Sequence, residues 1–176
     1  MTTLKAEPLA AEAFAPFGRI VTRPEDKEHA SGPGWRWWAE TALLDGDDRP
    51  WGVGYLDLEP VAPRFDWAER HMRTLEAIFA ASGDLLVYVG PPDRLDEPQY
   101  MPPLDRFRVF QVPAGSGVVL DRGVWHGAPF AAGERTSAIV LLLEGTGRDD
   151  LTLMRFPETP VGIEISEPKG RGSGNR

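Results

Sequence analysis

Hydrophobic residues along the chain fall in short runs, most of which alternate with polar residues and end at a proline or a glycine. Such runs are typical of β-strands joined by turns rather than of long helices. The pattern predicts strands at residues 4–8, 18–21, 51–58, 64–72, 85–89, 107–112, 118–120, 124–126, 137–143 and 151–156. Residues 10–17 favour a short helix, whereas residues 75–81 suit either a strand or one helical turn. The chain is therefore predicted to be all-β, a barrel or a sandwich.

The predicted strand at residues 64–72 carries two chemically active side chains. Glu69 and His71 are two positions apart, so in a strand they share a face with Phe65 and Trp67. An apolar line that ends in a carboxylate and an imidazole would furnish a site near the mouth of a small barrel. The opposite face carries Asp66, Ala68, Arg70 and Met72, and these side chains are expected to face solvent.

A second segment, at residues 121–126, ends in another histidine about fifty positions later. Glu76 and His126 are the candidates that complete the site begun by Glu69 and His71. Each also has a plain structural interpretation, since Glu76 suits a surface position beside Arg73 and His126 suits a core position with its hydrogen bonds satisfied.

Two apolar features have two interpretations each. Residues 137–143 are apolar on both faces, which indicates either a second packed layer or a subunit interface. Trp35, Trp37 and Trp38 form either an aromatic wall over a ligand or partner, or a plug that closes one end of the core. Residues 22–34, which include His29, are predicted to be a loop, as are residues 90–103.

Composition narrows the range of partners and chemistry. The net charge of −8 repels phosphate backbones and anionic lipids, so we expect neither nucleic acid nor a membrane as partner. The chain has no cysteine, which leaves histidine, aspartate and glutamate for metal binding or acid–base work. Residues 1–18 lack the apolar region of a signal peptide, so a cytoplasmic location is expected. A single domain is expected at residues 1–166, followed by a flexible tail at 167–176.

The two candidate segments resemble the paired motifs of the cupin superfamily. The first cupin motif places glycine, two histidines, glutamate and a final glycine at fixed spacing. The second places glycine, proline, glycine, histidine and asparagine. The matching positions here are Pro63, Glu69, His71, Glu76 and Gly83 for the first motif, and Gly115, Asp121, Gly123, His126 and Phe130 for the second. Both spacings are kept, although the first motif has lost its leading glycine and first histidine, and the second its proline and asparagine.

Within the cupins, the sequence is similar to the ureidoglycolate lyase family of allantoin and purine catabolism. The resemblance rests on Pro8-Leu9 with residues 13–18, on Glu69-Arg70-His71 with Ala77 and Phe79, and on residues 122–126. It spans roughly residues 4–143. The chain departs from the family at Glu76, where glutamine is usual, and at Gly127-Ala128.

The resemblance implies a cupin-type double-stranded β-helix, a jelly-roll barrel with a short N-terminal helix, that forms a homodimer. It implies a carbon–nitrogen lyase that releases urea and glyoxylate from the small molecule ureidoglycolate. The two histidines and two glutamates form a ligand set that suits a divalent nickel, manganese, iron or zinc ion. The expected metal ligands are Glu69, His71, Glu76 and His126, the expected catalytic residues Glu76 and Glu69, and the expected substrate-binding residues Arg70, Arg122 and Trp125.

Several alternatives remain open from the sequence. Either both glutamates bind the metal ion, or one of them, preferably Glu76, stays free as the general base. Arg70 and Arg122 also suit surface ion pairs, and Trp125 suits core packing. A cupin that acts on another small hydroxy acid, and a metal-free ligand-binding protein, are the competing functions.

Overall fold

A computed structural model describes residues 2–46, 48–157 and 160–165. Within these residues sixteen strands accompany two one-turn helices and a 3₁₀ helix at Leu104–Arg106. The helices are α1 (Ala11–Phe14) and α2 (Thr146–Asp149). The strands are β1 (Thr3–Pro8), β2 (Gly18–Val21), β3 (Ala30–Gly32), β4 (Trp35–Trp37), β5 (Trp51–Leu58), β6 (Arg64–Phe65), β7 (Trp67–Arg70), β8 (Glu76–Ala80), β9 (Leu85–Gly90), β10 (Arg108–Val112), β11 (Gly117–Leu120), β12 (Trp125–His126), β13 (Phe130–Ala131), β14 (Thr136–Leu143), β15 (Thr152–Arg155) and β16 (Val161–Glu164).

Two large sheets and a separate hairpin account for these strands. The first sheet has the order β15-β7-β12-β9-β10-β1-β16-β6, with β13 also paired to β9. The second sheet has the order β2-β11-β8-β14-β5, and β3 pairs with β4 alone.

The pairing between strands is nested. Strand β9 pairs with β10, β8 with β11, β7 with β12 and β5 with β14, all antiparallel. Successive pairs alternate between the first and the second sheet, as they do when one long hairpin is wound into a helix. That arrangement is the jelly roll, so the predicted all-β, cupin-type barrel with its short N-terminal helix is confirmed.

The space between the two sheets is filled by apolar side chains. Strands of the first sheet contribute Val87 and Phe110, and those of the second contribute Ile78 and Val118. Helix α1 adds Phe14, whose ring lies edge-on to that of Phe110 with centroids 5.1 Å apart. This helix is shorter than the predicted residues 10–17 because Pro16 has no N–H to extend it.

The outer face of the first sheet is also covered, which corrects one prediction. Ala68 and Arg70 were expected to face solvent, but both are fully buried. They lie on the side where Phe107, Trp125 and Phe156 pack as a second apolar cluster. Strand alternation placed Glu69 and His71 on the inner face correctly, but Phe65, which was expected there too, belongs to the second apolar cluster because the strand breaks between them. Alternation also could not show that the outer face is covered. The predicted strand at 64–72 is also interrupted at Asp66 and ends at Arg70.

The structure contradicts one of the two interpretations of the segment that contains Trp35, Trp37 and Trp38. Strands β3 and β4 form a hairpin partly inside the predicted loop, and the side chains of Trp35 and Trp37 are half-exposed. The idea that they close the core is therefore wrong. The Arg23 guanidinium lies 5.3 Å from the centre of the Trp38 ring, a distance at which a cation and an aromatic face attract each other.

Among the described residues no helix is long and apolar enough to cross a membrane. The predicted tail at residues 167–176 lies outside the described part of the chain, so its flexibility stays a prediction.

Candidate metal and catalytic centre

Three strands of the barrel carry the candidate side chains to one place. Glu69 lies near the end of β7 and is the register partner of His126 in β12. Glu76 begins β8, where it is the partner of Leu120 in β11. His71 follows directly after β7. Two distant segments of the sequence therefore meet through strand pairing.

A turn before β12 joins these segments. Gly123 has a φ of +79°, a left-handed conformation that glycine adopts without steric cost. Its backbone N–H donates a hydrogen bond of 2.7 Å to the carbonyl oxygen of His71. The turn that precedes His126 is thereby attached directly to His71.

The four side chains are close enough to act together. The ring centroids of His71 and His126 are 5.6 Å apart. Oε2 of Glu76 lies 2.8 Å from Nε2 of His126 and 3.5 Å from Nε2 of His71. Both histidines and Glu76 are buried, while Glu69 is half-buried. The structure thus brings together all four residues that were expected to bind metal.

Both imidazole rings are oriented in the same manner. Nδ1 of His126 lies 2.9 Å from the carbonyl oxygen of Val124, and Nδ1 of His71 lies 2.8 Å from that of Asp150. Because a carbonyl oxygen only accepts, each Nδ1 must be the protonated donor. Each ring therefore directs Nε2 towards Glu76.

Charge coupling is strong between Glu76 and His126. Burial disfavours the charged form of both groups, but their mutual attraction and hydrogen bond outweigh it. The pKa of His126 is raised to about 9, and the pKa of Glu76 is lowered. Without a bound cation, the pair is an imidazolium and a carboxylate at neutral pH.

Glu69 completes a possible ligand set. Glu69, His71 and His126 each offer one ligand atom, and these atoms lie within 4.8 Å of one another. Burial raises the pKa of Glu69, and the positive charge on His126 counteracts this only in part. Two imidazoles and one carboxylate around a small space are a common ligand set for divalent transition metals.

The chain is similar to known proteins over most of its length. The profile of the family described as ureidoglycolate lyase matches residues 1–164. The chain belongs to the ureidoglycolate lyase family. A ureidoglycolate lyase from Burkholderia mallei (strain NCTC 10229) is 30% identical over 166 residues, which cover 90% of this chain and 92% of the relative. One from Rhodobacter capsulatus is 34% identical over 146 residues, which cover 79% of this chain and 86% of the relative.

Among solved structures, this ureidoglycolate lyase family member is similar to a dTDP sugar isomerase from Desulfovibrio desulfuricans G20, with a TM-score of 0.42. The two sequences are 15% identical, and the match covers 81% of this chain and 86% of that chain. The prediction of a lyase from sequence resemblance is confirmed by the family match.

Two of the expected substrate-binding residues lie away from the cluster. The Arg70 guanidinium donates hydrogen bonds to the carbonyl oxygens of Asp93, Glu97 and Pro98, at 3.2, 2.5 and 3.0 Å. It also lies 4.7 Å from the centre of the Trp125 ring. Both side chains belong to the outer face of the first sheet, opposite Glu69 and His126, so the structure does not bring them to the centre of this lyase.

Arg122, the third expected substrate-binding residue, has an acidic partner. One of its guanidinium nitrogens lies 3.2 Å from Oδ2 of Asp45. This contact matches the ion-pair alternative, and a substrate-binding role for Arg122 stays a prediction.

Asp150 is a neighbour of the centre that sequence reasoning missed. It lies 79 positions from His71 and is not part of either cupin motif. Since its contact with His71 uses the backbone carbonyl, no side-chain pattern could have indicated it.

Proposed function

We propose that this protein cleaves ureidoglycolate to urea and glyoxylate at the centre formed by Glu69, His71, Glu76 and His126. The observation that carries the proposal is the position of Glu76, whose Oε2 lies near Nε2 of both histidines inside a family-typical barrel. The family match supplies the substrate. The four side chains supply the acid–base and ligand groups that the reaction needs.

The residues fit a divalent metal ion. Glu69, His71 and His126 would hold it, because their ligand atoms lie together and both rings are fixed through Nδ1 to a carbonyl. Nitrogen and oxygen ligands without sulfur suit nickel, manganese, iron or zinc. Such an ion, when bound, lowers the pKa of a hydroxyl group that coordinates it and neutralises developing negative charge.

Glu76 is then the carboxylate that remains for proton transfer. Ureidoglycolate carries a hydroxyl and a urea nitrogen on the same carbon, so cleavage needs one proton to move between them. Glu76 removes the hydroxyl proton while the carbonyl of glyoxylate forms and the carbon–nitrogen bond breaks. The same proton passes from Glu76 to the departing nitrogen, and urea leaves neutral.

The pKa directions at the two glutamates are consistent with this division. Burial alone would raise the pKa of Glu76, but the positive charge on His126 lowers it, and a bound cation in place of that charge would likewise keep Glu76 ionised and able to accept a proton. The raised pKa of Glu69 reflects burial near another carboxylate, and a cation would reverse it by favouring the charged form. Glu76 is therefore assigned as the base and Glu69 as a ligand.

The barrel wall limits the water around the centre. Val89 is the register partner of His126, Leu120 is that of Glu76, and both are fully buried on the inner face. An apolar lining strengthens the electrostatic interactions between the substrate and the charged side chains.

We also propose that the protein is a homodimer that uses the outer face of the second sheet. Strand β5 exposes Val53 and Tyr55 there, beside Ile139 of the doubly apolar strand β14. Contiguous apolar area of this kind is typical of protein interfaces. Light scattering should give twice the chain mass, and a monomer at micromolar concentration would contradict the assignment. The cytoplasmic location stays a prediction.

The reaction is tested by measuring its products. Purified protein, supplied with nickel or manganese, should release urea and glyoxylate from ureidoglycolate in equal amounts. An amidohydrolase would release ammonia and carbon dioxide instead of urea. Turnover of other small hydroxy acids but none of ureidoglycolate would contradict the proposed substrate.

A further inference from the structure

Asp150 accepts three hydrogen bonds from the His71 segment. Its backbone carbonyl oxygen accepts the hydrogen bond from Nδ1 of His71, at 2.8 Å. Its carboxylate accepts hydrogen bonds from the backbone N–H of Met72, at 3.1 Å, and of Arg73, at 2.7 Å. One residue therefore fixes both the imidazole ring and the backbone that follows it.

The two histidines differ in what holds them. Nδ1 of His126 donates to Val124, two residues before it, so the turn that carries His126 also orients its ring. Nδ1 of His71 donates to a residue that is distant in the sequence. His71 is thus oriented from outside the two motif segments, and its ring position depends on where Asp150 lies.

Asp150 is itself firmly placed. Its side chain is only 7% exposed, and its backbone N–H donates to the carbonyl oxygen of Thr146 in helix α2. Arg73 pairs with Asp150 at 3.4 Å and with Asp149 at 3.0 Å. The hydroxyl of Thr74 accepts the N–H of Leu143 just before α2. These contacts attach the chain around α2 to the segment that follows His71.

We propose that Asp150 is a positioning residue, which fixes the His71 ring so that Nε2 points at the metal and catalytic centre. The inference rests on the proposed function, because that centre gives Nε2 its role. A carbonyl partner on Nδ1 selects the ring tautomer and raises the basicity of Nε2. The carboxylate keeps the carbonyl in place by binding the Met72 and Arg73 amides, so it is the part that mutation can alter.

Asp150→Asn and Asp149→Asn form a matched pair for the test. Both remove one negative charge from adjacent positions, but only Asp150 binds the backbone amides after His71. The Asp149 side chain is 59% exposed and contacts Arg73. In Asp150→Asn the side-chain oxygen can accept a hydrogen bond from one of the two amides. The NH₂ group, which is itself a donor, faces the other amide and cannot accept from it.

The first readout is nuclear magnetic resonance of the imidazole nitrogens in metal-free protein. In the wild type and in Asp149→Asn, His71 should carry a hydrogen-bonded proton on Nδ1. In Asp150→Asn this proton should exchange rapidly with water. This readout needs no metal and no activity, and the wild-type spectrum is informative even if the variant does not fold. A wild-type His71 without a proton on Nδ1 would overturn the inference.

The second readout is nickel affinity, measured by calorimetry with the full-length folded proteins. Asp150→Asn should bind nickel about 10- to 100-fold more weakly than the wild type. Asp149→Asn should stay within about threefold, since exposed ion pairs contribute little. Equal affinity in the wild type and Asp150→Asn would overturn the positioning role alone. A wild type that binds no nickel, manganese, iron or zinc would contradict the proposed metal centre instead. The nuclear magnetic resonance test of His71 would still decide whether Asp150 positions its ring.

Discussion

Oε2 of Glu76 lies 2.8 Å from Nε2 of His126, although fifty positions separate the two residues in the sequence. The contact joins strand β8 of the second sheet to strand β12 of the first. It is buried, and it couples the ionisation of both groups. A metal ion bound to Nε2 of His126 would replace this hydrogen bond and leave Glu76 for the proposed proton transfer.

Replacing Glu76 by glutamine removes the proposed base but keeps the size and hydrogen-bonding shape of the side chain. We expect turnover of ureidoglycolate to fall by roughly 10²-fold or more, because general-base catalysis contributes about that much. Nickel should still bind through Glu69, His71 and His126. Glu59→Gln, which changes an exposed glutamate paired with Arg135, is the control and should leave the rate unchanged. A normal rate in Glu76→Gln would assign the base to Glu69.

Removing the imidazole of His126 should abolish metal binding and activity together. His126→Ala deletes one of three proposed ligands, whereas His29→Ala deletes an exposed loop histidine. Bound metal, measured after gel filtration, should be absent from the first variant and normal in the second. Wild-type turnover in His126→Ala would exclude His126 from the centre.

Metal affinity should rise with pH below about pH 9. His126 has a pKa near 9 in the metal-free protein, so metal binding must displace its proton from Nε2 at lower pH. The apparent dissociation constant should therefore fall by up to about tenfold per unit between pH 6 and pH 8. Titrations in buffers of different ionisation enthalpy would show proton release of about one or more per metal. An affinity that does not change over this range would contradict the raised pKa.

Arg70 should be required for stability rather than for substrate affinity. Arg70→Lys keeps the charge, but a lysine ammonium lacks the planar group that donates to three carbonyl oxygens here. We therefore expect the free energy of unfolding to fall by about 1–3 kcal/mol. Arg155→Lys, at an exposed ion pair with Asp66, should change it by less than about 0.5 kcal/mol. Urea denaturation measures both. A raised KM with unchanged stability would instead restore Arg70 as a substrate-binding residue.

Most of the fold could be predicted because the strand signals are local. Apolar runs such as residues 85–89 and 107–112 are buried strands in the structure, and alternation at Glu69 showed which face points inward. The strands β13 and β16 were not predicted, since β13 has only two residues and Gly162 interrupts the apolar run of β16, and the hairpin of β3 and β4 was not predicted either. The burial of Ala68 and Arg70 depends on the chain that covers the sheet, which alternation within one strand does not report.

The candidate centre was predictable in part, for a physical reason. Metal-ligand residue types at motif spacing indicated Glu69, His71, Glu76 and His126, and strand pairing brings them together. The sequence could not reveal the roles of Arg70 and Asp150. Their partners include backbone carbonyl oxygens and amides, which every residue type possesses and no residue pattern marks.

The most direct test is the rate of urea and glyoxylate release by one preparation before and after metal removal. We expect the chelator-treated protein to be inactive with ureidoglycolate, and stoichiometric nickel, manganese, iron or zinc to restore turnover. Full activity in protein shown to contain no metal would contradict a metal-assisted centre, and no activity with any of these ions would contradict the lyase function itself.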